Sequence, residues 1–307
     1  MNYSIENKKM KHILKNICLG TLLLMGTVAS AQVSPLGGQY YQNRYLANPA
    51  MAGAEQGFRL NVGYRVQGGN MPGSPKTTSV TTDYRSNKVG LGLSLYKDQA
   101  GLLDQNKFVA TYAYHLPLND DSKQIHFGIS VGAFSERLNM QAMIGSMSDQ
   151  TALQFNDRPT RLDGDFGFAY TSKRLTVEGA LSNLRQQMGS DTKDYAGYNT
   201  FYAAASYGMS IKGMEFTPKV AYRGMHQYKN LLDAGFEAQV LDGQLGLMGM
   251  YHSNDSFTAG VNYEHKQQLK FMFLYTSGTS DVRNYTNDMF EMGVQVNFHK
   301  FKKKPQN

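Results

Sequence analysis

Three histidines are the side chains in this sequence that could most readily take part in acid–base or nucleophilic catalysis. His115, His126 and His252 lie on different segments, and none has a serine and a carboxylate at a spacing that can be aligned with it. A hydrolase of that type needs all three groups within hydrogen-bonding reach. The sequence also has no phosphate-binding loop, zinc-ligand spacing or nucleophile elbow. We therefore predict no catalytic residues, no cofactor and no enzymatic activity, with catalysis by a serine and a histidine as the least favoured alternative.

The acidic residues between Asp149 and Asp165 are a second group to consider, as ligands of a metal ion. Calcium-binding loops place their oxygen ligands at fixed, regular positions. The aspartates of this stretch, which also include Asp157 and Asp163, do not follow such a spacing. We predict no metal site.

A methionine-rich loop, residues 137–160, could form a binding surface. Met140, Met143, Ile144 and Met147 follow the spacing i, i+3, i+4 and i+7, which predicts a short amphipathic helix. Methionine side chains adapt to irregular surfaces. Met140, Met143 and Met147 are therefore candidates for an external loop contact with a protein partner. The alternative is that this stripe packs the loop over the rim of the fold.

The segment from Gln39 to Gly53 combines three tyrosines with amides, an arginine and a turn at Asn48-Pro49. Tyrosine has an apolar body and a polar tip, and proline moves the residue before it out of the helical region. This composition indicates an ordered segment with two open roles, a plug that packs the interior or an element that binds a partner. The candidate residues for either role are Gln39, Tyr40, Tyr41, Tyr45, Asn48, Pro49 and Gly53.

The elements that must position these residues follow an export signal. Four lysines precede an apolar run at residues 17–28, and Ala29-Ser30-Ala31 has the small side chains typical of a cleavage site. We predict a cleaved signal peptide over residues 1–31 and an N-terminal periplasmic or lumenal segment over residues 32–57. The single cysteine, Cys18, lies in the signal. The exported protein would then fold without disulfides and depend on a sizeable core or a closed sheet.

The net charge of +7 is concentrated at the two ends of the chain. The signal holds four of the 31 basic and one of the 24 acidic residues, so 27 basic and 23 acidic residues follow it. Four lysines in the basic tail, residues 300–307, account for the remaining excess of four positive charges. The rest of the exported chain is nearly neutral and gives no indication of nucleic-acid binding. Lys302, Lys303 and Lys304 could contact anionic headgroups or an acidic periplasmic partner. A solvated tail is the alternative.

Alternation of apolar and polar residues dominates the sequence after residue 57. Near residue 90, for example, Val89, Leu91, Leu93 and Leu95 alternate with small or polar residues. A period of two is typical of a β-strand whose faces meet different environments. Segments of this kind begin near residues 58, 76, 88, 105, 124, 164, 174, 199, 214, 230, 243, 255, 267 and 288.

The connections between these segments differ in length in a regular way. We predict tight turns at the second, sixth, eighth, tenth and twelfth connections, and longer loops at the first, third, fifth, seventh, ninth and thirteenth. The eleventh connection is short, although its odd number places it with the longer loops. Membrane barrels place short turns in the periplasm and longer loops outside, so both termini are predicted to be periplasmic. Pro218 cannot donate a ladder hydrogen bond and predicts a bulge or a late strand start.

Alternation alone fits both a soluble β-sandwich and a membrane β-barrel. The export signal, the regular loop lengths and the tyrosines at strand ends favour the barrel. We predict an all-β fold, an antiparallel up-and-down outer-membrane β-barrel of about 14 strands over residues 58–299. Its apolar face, with Leu93, would contact outer-membrane lipid, and its polar face, with Ser94, would line the lumen.

Three blocks of residues occur in a recognisable order along the chain. They are Gln39-Tyr40-Tyr41 with residues 46–53, residues 112–116 with Phe127-Gly128 and Val131-Gly132, and residues 163–170 with 181–184. In order and spacing they resemble the PorP/SprF family, which comprises outer-membrane proteins of the type IX secretion and gliding systems of Bacteroidota. The first block is the most specific of the three.

The resemblance implies an outer-membrane barrel that works with the periplasmic ring and motor components of that system and with a secreted adhesin or other cargo. We expect the protein to act by protein–protein interaction in the export or surface attachment of secreted proteins. A small-solute channel is the alternative, because the mixed charges of the polar face do not decide whether the lumen is open.

Overall fold

A computed structural model of the protein describes residues 36–68, 73–118, 122–142, 150–187, 199–211, 213–225, 229–278 and 288–298. Within these ranges, fifteen strands form one antiparallel sheet. The strands are β1 (Gly57–Gln67), β2 (Lys76–Ser86), β3 (Val89–Ala100), β4 (Leu103–Pro117), β5 (Gln124–Leu138), β6 (Arg161–Thr171), β7 (Leu175–Leu181), β8 (Asn199–Tyr207), β9 (Met209–Ile211), β10 (Met214–Met225), β11 (Leu231–Val240), β12 (Leu245–His252), β13 (Ser256–His265), β14 (Leu269–Thr276) and β15 (Met289–Asn297).

The sheet closes on itself because its first and last strands pair. Apart from β8 and β9, which do not pair with each other, each strand pairs with its neighbours in the sequence. Strand β1 pairs with β15 along nine residues, from Arg59↔Asn297 to Gln67↔Met289. Strands β8 and β9 both pair with β10 and share one position in the barrel. The result is a closed up-and-down barrel of 14 positions, which confirms the predicted fold class.

The two faces of the barrel differ as the alternation predicts. On β3, Leu93 points outward and is 45% exposed, as are its neighbours Leu91 and Leu95 at similar fractions. On β2, Asp83 points inward and is 2% exposed. An apolar outer face and a polar inner face are the arrangement that a lipid bilayer requires of a barrel. Among the described residues, no helix is long and apolar enough to cross a membrane.

The turns confirm most of the predicted connections. We call the end that carries the β2–β3 and β13–β14 turns the short-turn end, and the opposite end the long-loop end. Asn87 and Lys266 have φ values of 54° and 52° in those two turns, a left-handed conformation that asparagine adopts more readily than lysine. The prediction of a long third connection was wrong. Strands β3 and β4 extend further than expected and pair as far as Ala100↔Leu103, so two residues join them.

Pro218 has a different effect from the one predicted. It lies within β10 and keeps its register with Phe236 of β11, so the strand neither bulges nor starts late there. The pairing instead lapses on the other side, where β8 ends at Tyr207 and β9 begins at Met209. Because proline has no N–H to donate, the ladder is interrupted opposite it while the register continues. The shift in register occurs further along, between Gly224 and Met225.

The long loop between β5 and β6 contains two short helical pieces. Met140–Ala142 form a single 3-10 turn, and helix α1 comprises Gln150–Asn156. The Asn156 side chain fastens α1 to the end of β5, since it accepts a hydrogen bond from the Leu138 N–H at 2.6 Å and donates one to the Leu138 carbonyl at 3.0 Å. A second short helix, α2 (Leu184–Gln187), follows β7. Met143 and Met147 lie outside the described residues.

The largest cluster of buried apolar side chains lies inside the barrel. It combines Tyr40 and Tyr41 with wall residues such as Tyr202, Met250 and Leu274. The two tyrosines belong to residues 36–56, which precede β1 and which we call the inner segment. The core of the fold is therefore formed between the inner segment and the barrel wall.

Candidate functional site

The inner segment is ordered by three single-turn 3-10 helices, Gln39–Tyr41, Arg44–Leu46 and Pro49–Met51. The third of these helices shows how the residues next to it determine where it starts. Asn48 is extended, with φ −144° and ψ 113°, and its side-chain oxygen accepts a hydrogen bond from the Ala50 N–H at 3.0 Å. Pro49 occupies the first helical position, where its missing N–H costs nothing. The Asn48-Pro49 pair thus starts a turn, as its sequence predicts.

The inner segment crosses the lumen from one half of the barrel to the other. At its start, the Gly38 N–H donates to Glu291 Oε1 at 2.7 Å, close to where β15 begins at the long-loop end. At its finish, the Gly53 N–H donates to Asp83 Oδ2 at 2.9 Å, close to where β2 ends at the short-turn end. Strand β1 then begins at Gly57. The segment is therefore enclosed by the wall along most of its length.

We call the half of the segment nearer the long-loop end its upper part and the half nearer the short-turn end its lower part. Tyr40 anchors the upper part to a charged group on the wall. Its side chain is 0% exposed, and its hydroxyl donates to Asp233 Oδ2. The Asp233 carboxylate also binds Arg223, with Nε–Oδ2 at 2.7 Å, and His252, with Nδ1–Oδ1 at 2.6 Å. The Arg223 guanidinium lies 5.0 Å from the centre of the Tyr40 ring, and the Tyr202 ring packs edge-on at 5.9 Å.

The charge state of Tyr40 follows from this environment. Burial raises the pKa of the Tyr40 hydroxyl well above its usual value, and Asp233 adds to that shift while Arg223 opposes it. The phenol therefore remains protonated and acts as the hydrogen-bond donor in its pair with Asp233.

Two further cationic contacts extend this anchor across β7 and β10. Lys219 Nζ lies 4.8 Å from the centre of the Tyr41 ring, a cation–π contact inside the barrel. Arg44 of the segment faces Glu178 of β7, with 3.6 Å between Nη1 and Oε1. Lys219 and Glu178 are both buried. The upper and middle parts of the segment therefore bind the wall through charged side chains.

Neutral hydroxyls and amides bind the middle of the segment on the opposite wall. The Tyr45 hydroxyl donates to Thr111 Oγ1 at 2.8 Å, and Thr111 also contacts Ser130 Oγ at 2.7 Å. The Asn43 side chain donates to Thr81 Oγ1 at 2.9 Å. These contacts place Tyr45 against β4 and Asn43 against β2.

The lower part of the segment fits the wall through its backbone. The Asn48 side chain donates to the Phe168 carbonyl of β6 at 3.1 Å. Gly128 of β5 and Gly167 of β6 lie directly beneath this turn, and a Cβ atom at either position would overlap Asn48, Pro49 or Ala50. The absence of side chains at these two wall positions lets the two backbones approach closely.

The three histidines lie in buried hydrogen-bond chains. His115 Nε2 bonds the Ala52 carbonyl at 3.0 Å, and its Nδ1 faces Nδ1 of His126 at 2.6 Å. His252 lies between Asp233 and Thr258, with Nε2–Oγ1 at 2.7 Å, an order of groups like that of a hydrolase. Thr258 is 0% exposed, so its hydroxyl is enclosed within this chain of hydrogen bonds. In the described parts of the chain, no group of three possible metal ligands occurs.

Two cavities flank the inner segment. The upper cavity, about 140 Å³, lies on the long-loop side and is lined by residues such as Leu36, Leu46, Ser94 and Lys107. The lower cavity, about 340 Å³, lies on the short-turn side and is lined by residues such as Gln42 and Gln239. The segment separates the two.

All seven candidate residues of the Gln39–Gly53 segment are therefore brought together inside the barrel. Sequence reasoning predicted a polar face of mixed charge but did not identify the partners of this segment on it, which are Asp83, Arg223, Asp233 and Glu291. The signal available in the sequence was their charge at positions that face the lumen. Residues 1–35, the remaining candidates Lys302, Lys303 and Lys304, and the rest of the tail lie outside the described residues.

Solved structures of similar fold are outer-membrane proteins. The Ralstonia pickettii toluene transporter TbuX is 12% identical, with a TM-score of 0.52 and coverage of 89% of this chain and 96% of that one. The Acinetobacter baumannii outer-membrane protein Omp33 is 9% identical, with a TM-score of 0.48 and coverage of 80% and 100%. At such identities, the TbuX comparison establishes the barrel fold alone. No protein of curated function matches the chain.

The sequence itself matches a family model over almost its whole length. The model describes the type IX secretion system membrane protein PorP/SprF, and the match covers residues 29–296. This range contains the inner segment and all fifteen strands except the final residue of β15. It confirms the resemblance seen in the Gln39–Gly53 block and indicates a secretion-system membrane protein of the outer membrane. The chain belongs to the PorP/SprF family of type IX secretion system membrane proteins.

Proposed function

We propose that this barrel serves type IX secretion by protein–protein interaction, in the export or surface attachment of secreted proteins, and that its lumen is not a path for solutes. The observation that carries the proposal is the inner segment inside the barrel. A porin of this size needs an aqueous passage lined by polar side chains. Here several polar side chains of the wall, among them Asp83, Asp233 and Glu291, are bound to the segment.

The attachment of the segment extends around most of the barrel. Hydrogen bonds or ion pairs link it to β2, β4, β6, β7, β11 and β15. Each of these contacts would have to break for the segment to leave the lumen. A buried carboxylate such as Asp233 or Glu291 that lost its partner would also incur a desolvation cost. These costs support a permanent plug and argue against the alternative of a small-solute channel.

The same burial bears on the two roles predicted for Gln39–Gly53. A residue that binds a partner must be reachable, whereas Tyr40 and Asn48 are both fully buried. We infer that these side chains act as the plug and that partners bind the exposed ends of the barrel. With both termini in the periplasm, the short-turn end would face the ring and motor components, and the long loops would face a secreted adhesin or other cargo.

Conductance across planar bilayers tests whether the plug closes the lumen. The wild-type barrel should be silent, whereas Gly167→Leu, which places a side chain where Asn48 and Ala50 lie, should open measurable conductance. Gly179→Leu is the matched control, because Gly179 faces outward on β7 and the nearest atom to an added Cβ would be the Tyr202 carbonyl oxygen at 4.0 Å. Stable conductance of the wild-type protein would favour the channel.

Affinity purification from native outer membranes tests the interaction role. The wild-type barrel and Gly179→Leu should bring secretion components with them in equal amounts. Recovery of the barrel alone, from membranes in which those components are shown to be present and intact, would contradict the proposal.

A further inference from the structure

The outer face of the barrel carries a polar patch at the long-loop end. It consists of Lys76 and Thr78 on β2, Lys97 on β3 and Asn106 on β4, and we call it the outer patch. These residues alternate with side chains that face the lumen, such as Thr77, which is buried. Lys76, Lys97 and Asn106 are exposed. The outer patch therefore faces the surroundings of the barrel and takes no part in binding the plug.

Strand pairing brings the members of the outer patch together. Lys97 lies opposite Thr78 of β2 on one side and opposite Asn106 of β4 on the other. Lys76 is two residues along β2 from Thr78, so the two lysines are diagonal neighbours, roughly 7–8 Å apart along the sheet. Lysine has a flexible four-carbon stem, so two ammonium groups at this spacing can reach one anion. The Thr78 hydroxyl and the Asn106 amide can each donate a further hydrogen bond.

The two lysines of the outer patch are not neutralised by the described parts of the protein. No carboxylate oxygen there lies within 4.0 Å of either ammonium group. Lys107 and Lys270, which face the lumen, each lie 3.7 Å from a carboxylate. Among the described outward positions of β2–β5, the single acidic residue is Asp104, which accepts a hydrogen bond from Gln99 at 2.8 Å and pairs in register with Arg137. The outer patch therefore has a net positive charge.

The height of the outer patch relative to the bilayer follows from the apolar residues next to it. Leu95 and Phe108 are the next outward residues toward the short-turn end, and both are exposed. On β4, the outward positions stay apolar or aromatic from Phe108 to Leu118, ten residues further on. At ~3.4 Å per residue and a tilt of ~40°, this run spans about 26 Å along the membrane normal, which matches the ~25 Å apolar band of outer-membrane barrels. The outer patch therefore lies at the level of the lipid headgroups.

Other strands reach the long-loop end with different side chains. The last outward residue at that end is Tyr251 on β12, Phe257 on β13, Tyr275 on β14 and Phe290 on β15. Aromatic rings at the membrane interface do not discriminate between headgroup charges, whereas lysines attract anionic lipids. The charge of the outer patch is thus a local property of the wall around β2 and β3.

We propose that the outer patch binds the phosphate group of a membrane lipid in the leaflet at the long-loop end. The two ammonium groups supply the charge, Thr78 and Asn106 supply hydrogen bonds, and the acyl chains lie against Leu95 and Phe108. A phosphate-bearing lipid is the one component of a bilayer that joins an anion to apolar chains at this level. Free inorganic phosphate would contact the charged part alone. The site lies on the outer face, so it is independent of the plug and of the proposed interaction function.

The test titrates the full barrel in detergent with phosphatidic acid, whose headgroup is a phosphate alone, and follows bound lipid by native mass spectrometry. Phosphatidylcholine, which carries its own cation beside the phosphate, is the comparator, and inorganic phosphate is the competitor. Lys76→Gln/Lys97→Gln removes both charges at exposed positions, and Lys76→Arg/Lys97→Arg retains them. Lys88→Gln/Lys266→Gln, in exposed turns at the short-turn end, is the matched control for the loss of two charges.

We expect the wild type, the arginine variant and the control to retain one phosphatidic acid molecule with similar affinity. The glutamine variant of the outer patch should bind it at least about tenfold more weakly. No retained lipid, equal binding by that variant, or equal retention of phosphatidylcholine would overturn the assignment. Displacement of the lipid by inorganic phosphate would also overturn it, because the site would then recognise the anion without the acyl chains.

Discussion

The two halves of the inner segment are held in the barrel by different physical means. In the upper half, Tyr40 binds a buried charged group made of Asp233, Arg223 and His252. In the lower half, the backbone around Asn48 fits against a glycine-lined part of the wall. Removal of one member destabilises a buried charged network, whereas addition of atoms destabilises a close packing contact. Four experiments separate these modes, from the largest expected effect to the smallest.

Removal of the central carboxylate should be the most damaging change. Asp233→Ala leaves Arg223 buried without its acidic partner, and the loss of one member of a buried pair typically costs about 3–5 kcal/mol. The free energy of unfolding in urea, measured in detergent, should fall by that amount. Asp157→Ala, at an exposed position after helix α1, is the control and should have little effect. An equal loss in both variants would show that the charged group does not hold the upper half.

Addition of atoms to the lower wall should come next. Gly128→Val puts branched carbons where Pro49 and Ala50 now lie, and overpacking of this kind costs about 1–3 kcal/mol. Trypsin cleavage after Arg44 should also become faster, because the lower half of the segment is pushed off the wall. Gly179→Val on the outer face is the comparison, and a cleavage rate unchanged in Gly128→Val would contradict the fit.

The third experiment compares two substitutions, each of which removes one hydrogen bond of the segment. Tyr40→Phe removes a bond to a carboxylate, for which about 1.5–3 kcal/mol is typical, and Tyr45→Phe removes a bond to the neutral Thr111, for which about 0.5–1.5 kcal/mol is typical. Urea unfolding of both variants should rank Tyr40→Phe as the less stable. The opposite ranking would mean that Arg223 and His252 already satisfy Asp233.

The fourth experiment removes the side-chain cap that Asn48 provides at the start of the lower turn. Asn48→Ala loses the bond from the Ala50 N–H and the bond to the Phe168 carbonyl, and caps of this type contribute about 1 kcal/mol. Asn48→Ser retains a capping oxygen and should recover part of the loss. If both substitutions have the same effect on urea unfolding, the cap does not contribute to the stability of the segment.

The barrel could be predicted from the sequence because its signal is local. Alternation along β3 or β15 needs only the residues of one strand, and a two-residue turn such as that at Asn87 needs only its neighbours. The contacts of the inner segment are not of this kind. Gly38 and Glu291 are 253 positions apart, and Tyr40 and Asp233 are 193 apart, so no pattern within one segment could pair them.

Two local predictions failed for physical reasons that only the neighbouring strands reveal. The third connection is short because β3 and β4 continue to pair up to Ala100 and Leu103 beyond the obvious alternation. Pro218 is tolerated without a bulge because β11 keeps its register while the ladder lapses between β8 and β9. In both cases the length of a strand depends on its partner.

The position of the inner segment within the chain constrains the order in which the protein assembles. The segment directly precedes β1, and β1 makes the seam of the barrel with β15, which among the described strands comes last in the chain. If the seam formed first, the 21 residues of the inner segment would have to thread into a closed ring and desolvate their polar groups there. Folding the wall around the segment avoids that step, since each new strand then finds part of its lumenal contacts already present. The plug would serve as the template on which the barrel closes.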